Sequence, residues 1–261
     1  MNIALCYESV LPARGGCETY IADLTRRLVA DGHEVHLYAR SWDECALPTQ
    51  VIAHRLDVPT RPRFLRPWFF ARACEQALAK TRHDVSIGFD KTWGQDVLYP
   101  QGGLHSASAE HNLCKYPGAF TRTFARFLKR FDPAALSFAR LERKQYLQYS
   151  PAIIVNSRMV QRHFSDYHGL ERGSTSVVHA AIHPGRFQTE ERAAMRRDWR
   201  ARLQVDGDTP VALFVAMNYR LKGLEPLLHA AARVWRDFRL VVMGNPRTGK
   251  YERLARKLGI A

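Results

Sequence analysis

The sequence of 261 residues is poor in the features that would indicate a disulfide framework, a zinc site or a membrane span. Its five cysteines are scattered, odd in number and form no C-x-x-C pair. This pattern argues against disulfides and zinc and favours a reducing cytoplasm. No apolar run of about 18 residues occurs, so no membrane span is expected. The N-terminus lacks the regions of a signal peptide and is predicted to be the first strand of a folded domain.

Acidic residues are also scarce, since 25 Asp and Glu stand against 39 Lys and Arg, giving a net charge of +14. Such an excess indicates an anionic partner, which by charge alone is nucleic acid, an acidic membrane surface or a phosphorylated small molecule. A basic surface kept for solubility is the alternative. The sequence has no helix-turn-helix, zinc or RNP signature, so nucleic acid is not a predicted partner.

Short apolar runs alternate with segments of helical periodicity from the first residue onward. Residues 17–30 have apolar side chains at helical spacing and end at Asp31-Gly32, where glycine allows the chain to leave the helix. Residues 120–149 are predicted to be helical with a break near Asp132-Pro133. This alternation predicts an α/β fold with a mostly parallel sheet and helices on both faces.

The same alternation predicts two Rossmann-like domains. Residues 1–187 are assigned to an N-terminal, acceptor-side domain, and the charged stretch 188–208 to a linker. Residues 209–261 begin a second, donor-nucleotide domain, but two strands and two helices fall short of a typical domain of about 100–150 residues. Part of that domain is therefore expected to be absent from this chain.

Two adjacent glycines, Gly15 and Gly16, stand between the first predicted strand and the first predicted helix. They let the backbone approach a ligand, and the helix N-terminus behind them suits a phosphate. The segment is not G-x-G-x-x-G, which disfavours a classical dinucleotide site. A phosphate-binding loop and a plain tight turn both fit this pattern.

A second motif, NYRLKG at residues 218–223, lies between a predicted strand and helix. Ligands of open α/β sheets bind at the carboxyl ends of the strands, so Asn218, Arg220 and Lys222 are candidate site residues. The two cations would stabilise a departing diphosphate. The alternative is a pair of solvated surface cations.

The third motif, GNPRTGKY, begins at Gly244 and has the G-x-x-x-x-G-K frame of a phosphate loop. Tyr251 stands where such loops have a Mg²⁺-binding Ser or Thr, so an ATPase or GTPase is disfavoured. A glycine-rich turn that frames the phosphates of a nucleotide sugar is the favoured interpretation.

A glycine-rich polar segment, residues 88–105, follows a predicted strand and ends at a histidine. His105 is predicted to hydrogen-bond a substrate hydroxyl, although a histidine in such a loop is as often structural. The segment belongs to the same sheet edge as Gly15 and Gly16. The remaining candidate contacts with donor or acceptor are Asp90, Lys91, Asp96, Gly102 and Gly103.

Two segments combine basic and aromatic residues, at 61–72 and 120–131. In the second, four phenylalanines and a leucine share one helical face, with arginines and a lysine around it. A basic amphipathic helix can lie on an anionic bilayer. The apolar face is equally compatible with a protein core, and the core is the predicted location of the phenylalanines.

These motifs, in this order, resemble the retaining GT-B glycosyltransferases of family 4, also called group 1. Within the family, the stretches at 41–45, 88–97 and the basic aromatic segment are most similar to the lipopolysaccharide-core sugar transferases. The stretches that carry the family resemblance are the P-x-x-G-G loop ending at Gly16, DGHEVHLYA (31–39), IIVNSRMVQRHF (153–164), PGRF (184–187), LFVAMNYRLKGLEPLL (213–228) and LVVMG (240–244).

The resemblance implies a nucleotide-diphosphate sugar as substrate, with a UDP-sugar expected, a cleft between two domains, no cofactor and no metal requirement. It implies that Lys222 binds the donor diphosphate and that His105 is the cleft histidine. Met217 stands where the family has an arginine, so Arg220 is expected to replace it. The turn before the linker reads AAIH at 180–183 instead of the usual N-G-x-D.

The resemblance also implies an E-x₇-E pair that holds the donor sugar and ribose. That pair lies in the later part of the C-terminal domain, beyond the residues present here. The chain is therefore expected to be C-terminally truncated.

The resulting hypothesis is a hexosyltransferase that moves a sugar, with retention of configuration, to a lipopolysaccharide-core or other anionic lipid-linked saccharide. It would work in the cytoplasm, peripherally on the inner-membrane surface. The alternative is a non-catalytic remnant or a module that binds anionic lipid or saccharide.

Overall fold

A computed structural model describes residues 1–116, 118–149, 151–181, 185, 190–234, 237–244 and 247–260. The chain divides into two compact units, Met1–Ala181 (unit 1) and Ile182–Ala261 (unit 2). The predicted domain boundaries at 187 and 208 stay predictions. Each unit is described by itself below.

Unit 1 is built on a sheet of seven parallel strands in the order β5-β3-β1-β6-β7-β8-β9. The order runs outward on both sides from β1, which is typical of a doubly wound α/β fold and confirms the predicted parallel sheet. The strands are β1 (Asn2–Cys6), β3 (Glu34–Ala39), β5 (Ile52–Arg55), β6 (Val85–Phe89), β7 (Val97–Tyr99), β8 (Ala152–Val155) and β9 (Thr175–Val177).

A short two-stranded parallel pair, β2 (Ser9–Val10) with β4 (Ser41–Trp42), continues the chain beyond β1 and β3. Six α-helices accompany the strands of unit 1 in the part of the chain that the structure describes. They are α1 (Gly16–Ala30), α2 (Arg66–Leu78), α3 (His105–His111), α4 (Ala119–Lys129), α5 (Pro133–Arg143) and α6 (Arg158–His168).

The core of unit 1 lies on both faces of the central strands, as expected for a parallel sheet. Leu5 and Leu37 pack with Ile21 of α1 on one face, whereas Cys6 packs with Phe70 of α2 on the other. Side chains alternate along a strand, so neighbouring residues of β1 serve the two faces in turn.

The predicted break in the helical segment 120–149 is confirmed. α4 ends at Lys129, and Asp132 caps α5 by accepting a hydrogen bond of 2.9 Å from the backbone N–H of Ala134. Pro133 occupies the first turn of α5, where its missing N–H is not needed. The residues after Arg143 continue as a π-helical turn to Gln148.

Unit 2 contains the parallel pair β10 (Val211–Ala216) and β11 (Arg239–Gly244). Ala216, Tyr219, Leu224 and Leu228 form its buried cluster. The helical segment that follows β10 is divided at Gly223, which has a left-handed φ of 83°. The helices are α7 (Arg192–Arg202), α8 (Tyr219–Lys222), α9 (Leu224–Ala231) and α10 (Gly249–Lys257).

Candidate functional site

The largest group of candidate residues surrounds a cavity of about 490 Å³ in unit 1, at the carboxyl ends of its central strands. Residues that follow β1, β3 and β6 line it, together with the start of α3 and one side of α5. Parallel α/β sheets bind their ligands at this edge. The predicted residues that the cavity brings together are Asp90, Lys91, Gly102, Gly103 and His105.

Asp90 is held in an unusual backbone conformation at the end of β6. Its φ of 55° lies in the left-handed region, which a non-glycine residue adopts only when its surroundings compensate. Here Oδ1 accepts a hydrogen bond of 2.9 Å from the N–H of Gly102, and Gln145 Nε2 donates to the carbonyl oxygens of Asp90 and Thr92. Burial raises the pKa of the carboxyl group. Asp90 is thus a fixed hydrogen-bonding group facing the cavity.

Two cationic or ionisable side chains contact the ring of Phe138 on α5. Lys91 Nζ lies 4.0 Å from the ring centroid, and the His105 ring centroid lies 5.1 Å from it. Burial lowers the pKa of both groups. The lowered pKa of His105 favours the neutral imidazole, which can exchange hydrogen bonds with a sugar hydroxyl.

A buried carboxylate, Glu142 of α5, holds the first turn of α3. It accepts hydrogen bonds from the backbone N–H groups of His105 and Ser106 and from the Ser106 hydroxyl, and lies 3.2 Å from His168 Nε2. Burial alone would raise its pKa, but the hydrogen bonds from His168 and Ser106 outweigh burial and lower it. Glu142 thereby fixes the backbone that presents His105 to the cavity.

Gly15 and Gly16 lie at the start of α1 rather than in the cavity wall that the structure describes. Gly15 is extended, with φ at 171°, and its carbonyl oxygen accepts a 3.0 Å hydrogen bond from the Thr19 hydroxyl. Arg14 and Glu18, on either side of the glycine pair, do line the cavity. Contact of the glycines themselves with a ligand stays a prediction.

Asp96 ties the segment before β7 to β6, and its contact with an acceptor stays a prediction. Its Oδ2 accepts hydrogen bonds of 2.8 and 2.6 Å from the N–H and hydroxyl of Ser86, and the Ser86 hydroxyl accepts 3.0 Å from the Asp96 N–H. These bonds tie the segment before β7 to the start of β6 through Oδ2, and Asp96 is not among the residues that line the cavity.

In unit 2, the NYRLKG motif forms the single turn α8. Asn218 caps it, with Oδ1 accepting 3.0 Å from the Leu221 N–H, and Gly223 ends it in the left-handed conformation. Arg220 and Lys222 are exposed on this turn. Their predicted contact with a donor diphosphate stays a prediction.

Gly244, at the end of β11, is required by close packing in unit 2. Its φ is 125°, and a Cβ atom there would lie 2.1 Å from the carbonyl oxygen of Ala216. Lys250 of the phosphate-loop frame pairs with Glu225 on α9 at 2.8 Å. Asn245 and Pro246 of this loop lie outside the described residues.

The aromatic face of α4 is exposed, which corrects our assignment of its phenylalanines to the core. Phe120, Phe124, Phe127 and Phe131 have exposed fractions of 53% to 84%. The helix contacts the rest of unit 1 through its polar residues. Arg126 pairs with Glu110, Lys129 Nζ donates to the carbonyl of Ala109 at 3.1 Å, and Arg122 donates to that of Tyr116 at 3.2 Å.

Within the described ranges, no three or more His, Cys, Asp or Glu side chains are grouped so that they could hold a metal ion. Over the same residues, every helix is too short or too polar to cross a bilayer.

A family model described as Glycosyltransferase Family 4 matches residues 14–186, more than half of the chain. The chain belongs to glycosyltransferase family 4. The matched range contains the cavity of unit 1 with Asp90, Lys91 and His105. The predicted family and the transferase class are therefore confirmed.

This family 4 chain is similar to the lipopolysaccharide glucosyltransferase WaaG of Escherichia coli strain K12. The two are 22% identical over 266 residues, which cover 100% of this chain and 67% of WaaG. The crystal structure of WaaG matches with a TM-score of 0.81 at 20% identity, covering 99% of this chain and 67% of WaaG. This likeness confirms the predicted GT-B type of α/β fold.

A second structural relative is HepE of Anabaena, which has been solved in complex with UDP-glucose. It matches with a TM-score of 0.64 at 14% identity, over 99% of this chain and 66% of HepE. The match supports the fold of this family 4 member.

Several cavity residues were missed by the sequence reasoning. From the sequence, Glu142 is predicted to be an ordinary surface residue of a basic helix, and no neighbouring residue in the sequence indicates that it is buried. Glu8 and Arg40 had a usable signal, because each follows a predicted strand at the sheet edge where ligands bind. Arg66 lies in the basic aromatic segment at 61–72, a pattern that indicates membrane binding rather than a cavity.

Proposed function

We propose that this chain takes part in transferring a hexose from a nucleotide-diphosphate sugar to a lipopolysaccharide-core or other lipid-linked saccharide, with retention of configuration. The observation that carries the proposal is the cavity of unit 1, which places Asp90, Lys91 and His105 at the ligand-binding edge of the sheet in a family 4 member. WaaG, a lipopolysaccharide glucosyltransferase, and HepE, solved with UDP-glucose, supply the substrate classes.

The cavity of unit 1 is the proposed acceptor site. Asp90 offers a carboxylate oxygen and His105 a neutral imidazole, and both are suited to hydroxyl groups of a sugar. The Asp90 carboxylate accepts from the N–H of Gly102, and the His105 backbone donates to Glu142, so the backbone that carries both groups is fixed before a ligand binds. Gly102 and Gly103 add backbone groups without side chains at the same wall.

The donor diphosphate is proposed to bind the cations of α8. Arg220 and Lys222 would stabilise the negative charge that develops as the diphosphate leaves the sugar. Asn218 fixes the start of this turn, and Gly244 closes the neighbouring strand end. Gly15 and Gly16 are proposed to contact the donor phosphates or the acceptor through their backbone.

In this mechanism the acceptor hydroxyl attacks the anomeric carbon from the face that the diphosphate leaves. The departing phosphate takes the hydroxyl proton, so configuration is retained and no carboxylate nucleophile is needed. No cofactor or metal enters the proposed reaction. The cations then bind the diphosphate more strongly in the transition state, where its negative charge develops, than in the ground state.

The direct test is calorimetric titration of the chain with UDP and UDP-glucose, followed by a transfer assay with radiolabelled UDP-glucose and deacylated lipopolysaccharide core. We expect UDP to bind and labelled glucose to appear on the saccharide. Binding of the saccharide without UDP binding or transfer would instead support a non-catalytic saccharide-binding module.

We further propose that α4 places the protein on the cytoplasmic face of the inner membrane. Its phenylalanines point away from unit 1, while Arg126 and Lys129 bind back onto α3. An exposed aromatic stripe next to basic residues matches the interface of an anionic bilayer, where apolar burial and charge attraction act together.

Sedimentation with vesicles tests this membrane proposal. Wild type should bind vesicles that contain phosphatidylglycerol and bind phosphatidylcholine vesicles far less. A Phe120→Ser and Phe124→Ser double variant should lose most of the binding, whereas Met159→Ser on α6, which is also exposed, should not. Equal binding of the double variant and wild type would exclude α4 as the contact.

A further inference from the structure

Two arginines share one carboxylate at the wall of the unit 1 cavity. Arg66, the first residue of α2, places Nε 2.7 Å from Oε1 of Glu8, and Arg40, which follows β3, places Nε 3.5 Å from the same oxygen. All three atoms are shielded from solvent, yet none has an aligned hydrogen bond. Such buried polar atoms call for a further partner in a native protein.

The positive charge at this wall exceeds the negative charge. Arg14 also lines the cavity and donates to the Ser9 hydroxyl at 3.4 Å. Arg14, Arg40 and Arg66 line the cavity and Glu8 is the carboxylate that pairs with two of them, so these arginines exceed it by two positive charges. Lys91 lines the same cavity, where burial lowers its pKa, Asp90 and Glu8 oppose that shift, and Arg66 adds to it.

The other carboxylates of the cavity have different surroundings. Glu142 is bound by the first turn of α3 and by His168. Asp90 and Glu18 lie around Cys17, where burial and then these two charges raise the thiol pKa to about 11. Among the described contacts, only Glu8 pairs with the arginines of the cavity.

The elements that carry these arginines fix their positions. Arg40 extends directly from the central strand β3, and Arg66 begins a helix whose other face is in the core. Each arginine faces Glu8 through Nε, so the terminal NH₂ groups of its planar fork stay available for a second anion. A phosphate monoester carries about −1.5 to −2 charges at pH 7 and three acceptor oxygens, which matches this excess.

We propose that Arg14, Arg40 and Arg66 form a subsite for a phosphate monoester carried by the saccharide acceptor. The proposal rests on the proposed function in placing the acceptor in unit 1, and it narrows the acceptor to a phosphorylated sugar. Glu8 is the positioning residue of this subsite, because it holds two guanidinium groups with one oxygen.

Binding of glucose 6-phosphate and of glucose to the whole chain, measured by saturation-transfer NMR, tests the subsite. We expect glucose 6-phosphate to bind at least tenfold more tightly than glucose, and inorganic phosphate to compete with it. Arg40→Gln and Arg66→Gln should each weaken glucose 6-phosphate about tenfold, because each removes a charge-assisted bidentate contact. Neither should change glucose binding more than twofold.

Arg72→Gln is the matched control, because Arg72 is an exposed arginine of the same helix as Arg66 and lies outside the cavity wall. It should leave every affinity unchanged. If Arg40→Gln or Arg66→Gln fails to fold by circular dichroism, Arg14→Gln replaces it, since Arg14 is exposed in a short turn before α1. Arg66→Lys should recover part of the lost affinity, because the charge remains but the fork does not.

UDP distinguishes the acceptor from the donor as the source of the phosphate. The proposal is overturned if the arginine variants weaken UDP as much as glucose 6-phosphate, or if glucose 6-phosphate binds no more tightly than glucose. Transfer of glucose with no preference for phosphorylated sugar would refute the subsite and leave the proposed function standing. Binding of glucose 6-phosphate that depends on the arginines, without any transfer of glucose, would support the subsite and contradict the proposed function.

Discussion

The candidate residues of the two units are held in contrasting ways. In unit 1, Asp90 accepts from the N–H of Gly102 and its carbonyl accepts from Gln145, while the His105 backbone N–H donates to Glu142. In unit 2, α8 is held by a cap, a glycine and buried Tyr219, but its cations are exposed. The first site is preorganised, whereas the second keeps its charges hydrated until a ligand arrives.

This contrast teaches that substitutions in the two sites will have different signatures. A change among the supporting groups of unit 1 alters both folding and binding, because the same hydrogen bonds serve both. A change on α8 alters binding and turnover alone. The predictions below test that difference, beginning with the largest effect.

Lys222→Ala should reduce transfer by roughly 10²–10³-fold, the usual loss when one group that stabilises the developing charge is removed. The free energy of unfolding should not change, since the side chain is exposed. Transfer from UDP-glucose and urea unfolding measure the two quantities. Near-normal turnover would refute the assigned role, and a clear loss of stability would break the contrast between the units.

Glu142→Ala should lower the free energy of unfolding of unit 1 by about 3–5 kcal/mol, since it breaks a buried pair and leaves the first N–H groups of α3 without acceptors. Urea denaturation measures this. Glu225→Ala is the control in unit 2, because its pair with Lys250 is exposed, and it should have no measurable effect. Similar losses from the two variants would contradict the comparison.

Protonation of the Glu142 carboxylate lowers the stability of unit 1 at acid pH. The folded pKa of Glu142 lies below its usual value of about 4.3, so its contribution is complete above that pH and is lost as pH falls through the folded value. Denaturation of wild type from pH 7 to pH 3 should show this loss. Glu142→Gln should show a flatter profile over the same range.

Gly244→Ala should destabilise unit 2 by roughly 1–3 kcal/mol, because its Cβ would meet the backbone carbonyl of Ala216 in a left-handed conformation. Gly249→Ala is the control, since a Cβ at that helical position has open space around it. Thermal unfolding of both variants gives the difference. An unchanged transition for Gly244→Ala would show that the end of β11 has room to adjust.

The smallest expected effect concerns the edge strand β5. His54 Nε2 lies 2.9 Å from His36 Nδ1, and burial followed by the charge of His36 lowers the pKa of His54. Burial also lowers the pKa of the neighbouring His83, although Glu34 and Asp84 oppose the shift. Folded-state pKa values below the unfolded value of about 6.5 mean that stability falls as pH drops below 6.5.

His54→Gln should flatten that decline between about pH 6.5 and pH 5. Hydrogen exchange of the β5 amides and urea denaturation across this range provide the measurement. An unaltered slope would indicate that protonation of His54 is not coupled to unfolding.

Much of the fold was predictable because periodicity and turn residues carry local information. The parallel sheet, α1 ending near Asp31-Gly32 and the break before Pro133 all follow from patterns within a few residues. The start of α3 at His105 was not anticipated. It depends on Glu142, 37 positions away in sequence, which satisfies the N–H groups of that turn.

The candidate site was predictable in part, for the same reason. Asp90, Lys91 and His105 were found because they follow a strand in a glycine-rich segment. The arginines of the cavity and Glu8 come from three separated segments, and only the fold brings them together. Asp96 belongs to the same polar segment, but it bonds to Ser86 of the neighbouring strand β6 and does not line the cavity.

Helix α4 packs against unit 1 through its polar side and exposes its phenylalanine side chains. It could therefore bind a lipid surface without rotating or unfolding. In buffer without lipid these phenylalanine side chains remain exposed to water, which is unfavourable. The purified protein should therefore bind to hydrophobic resin and self-associate reversibly when concentrated. A mild detergent should disperse it, and the Phe120→Ser and Phe124→Ser variant should behave well without one.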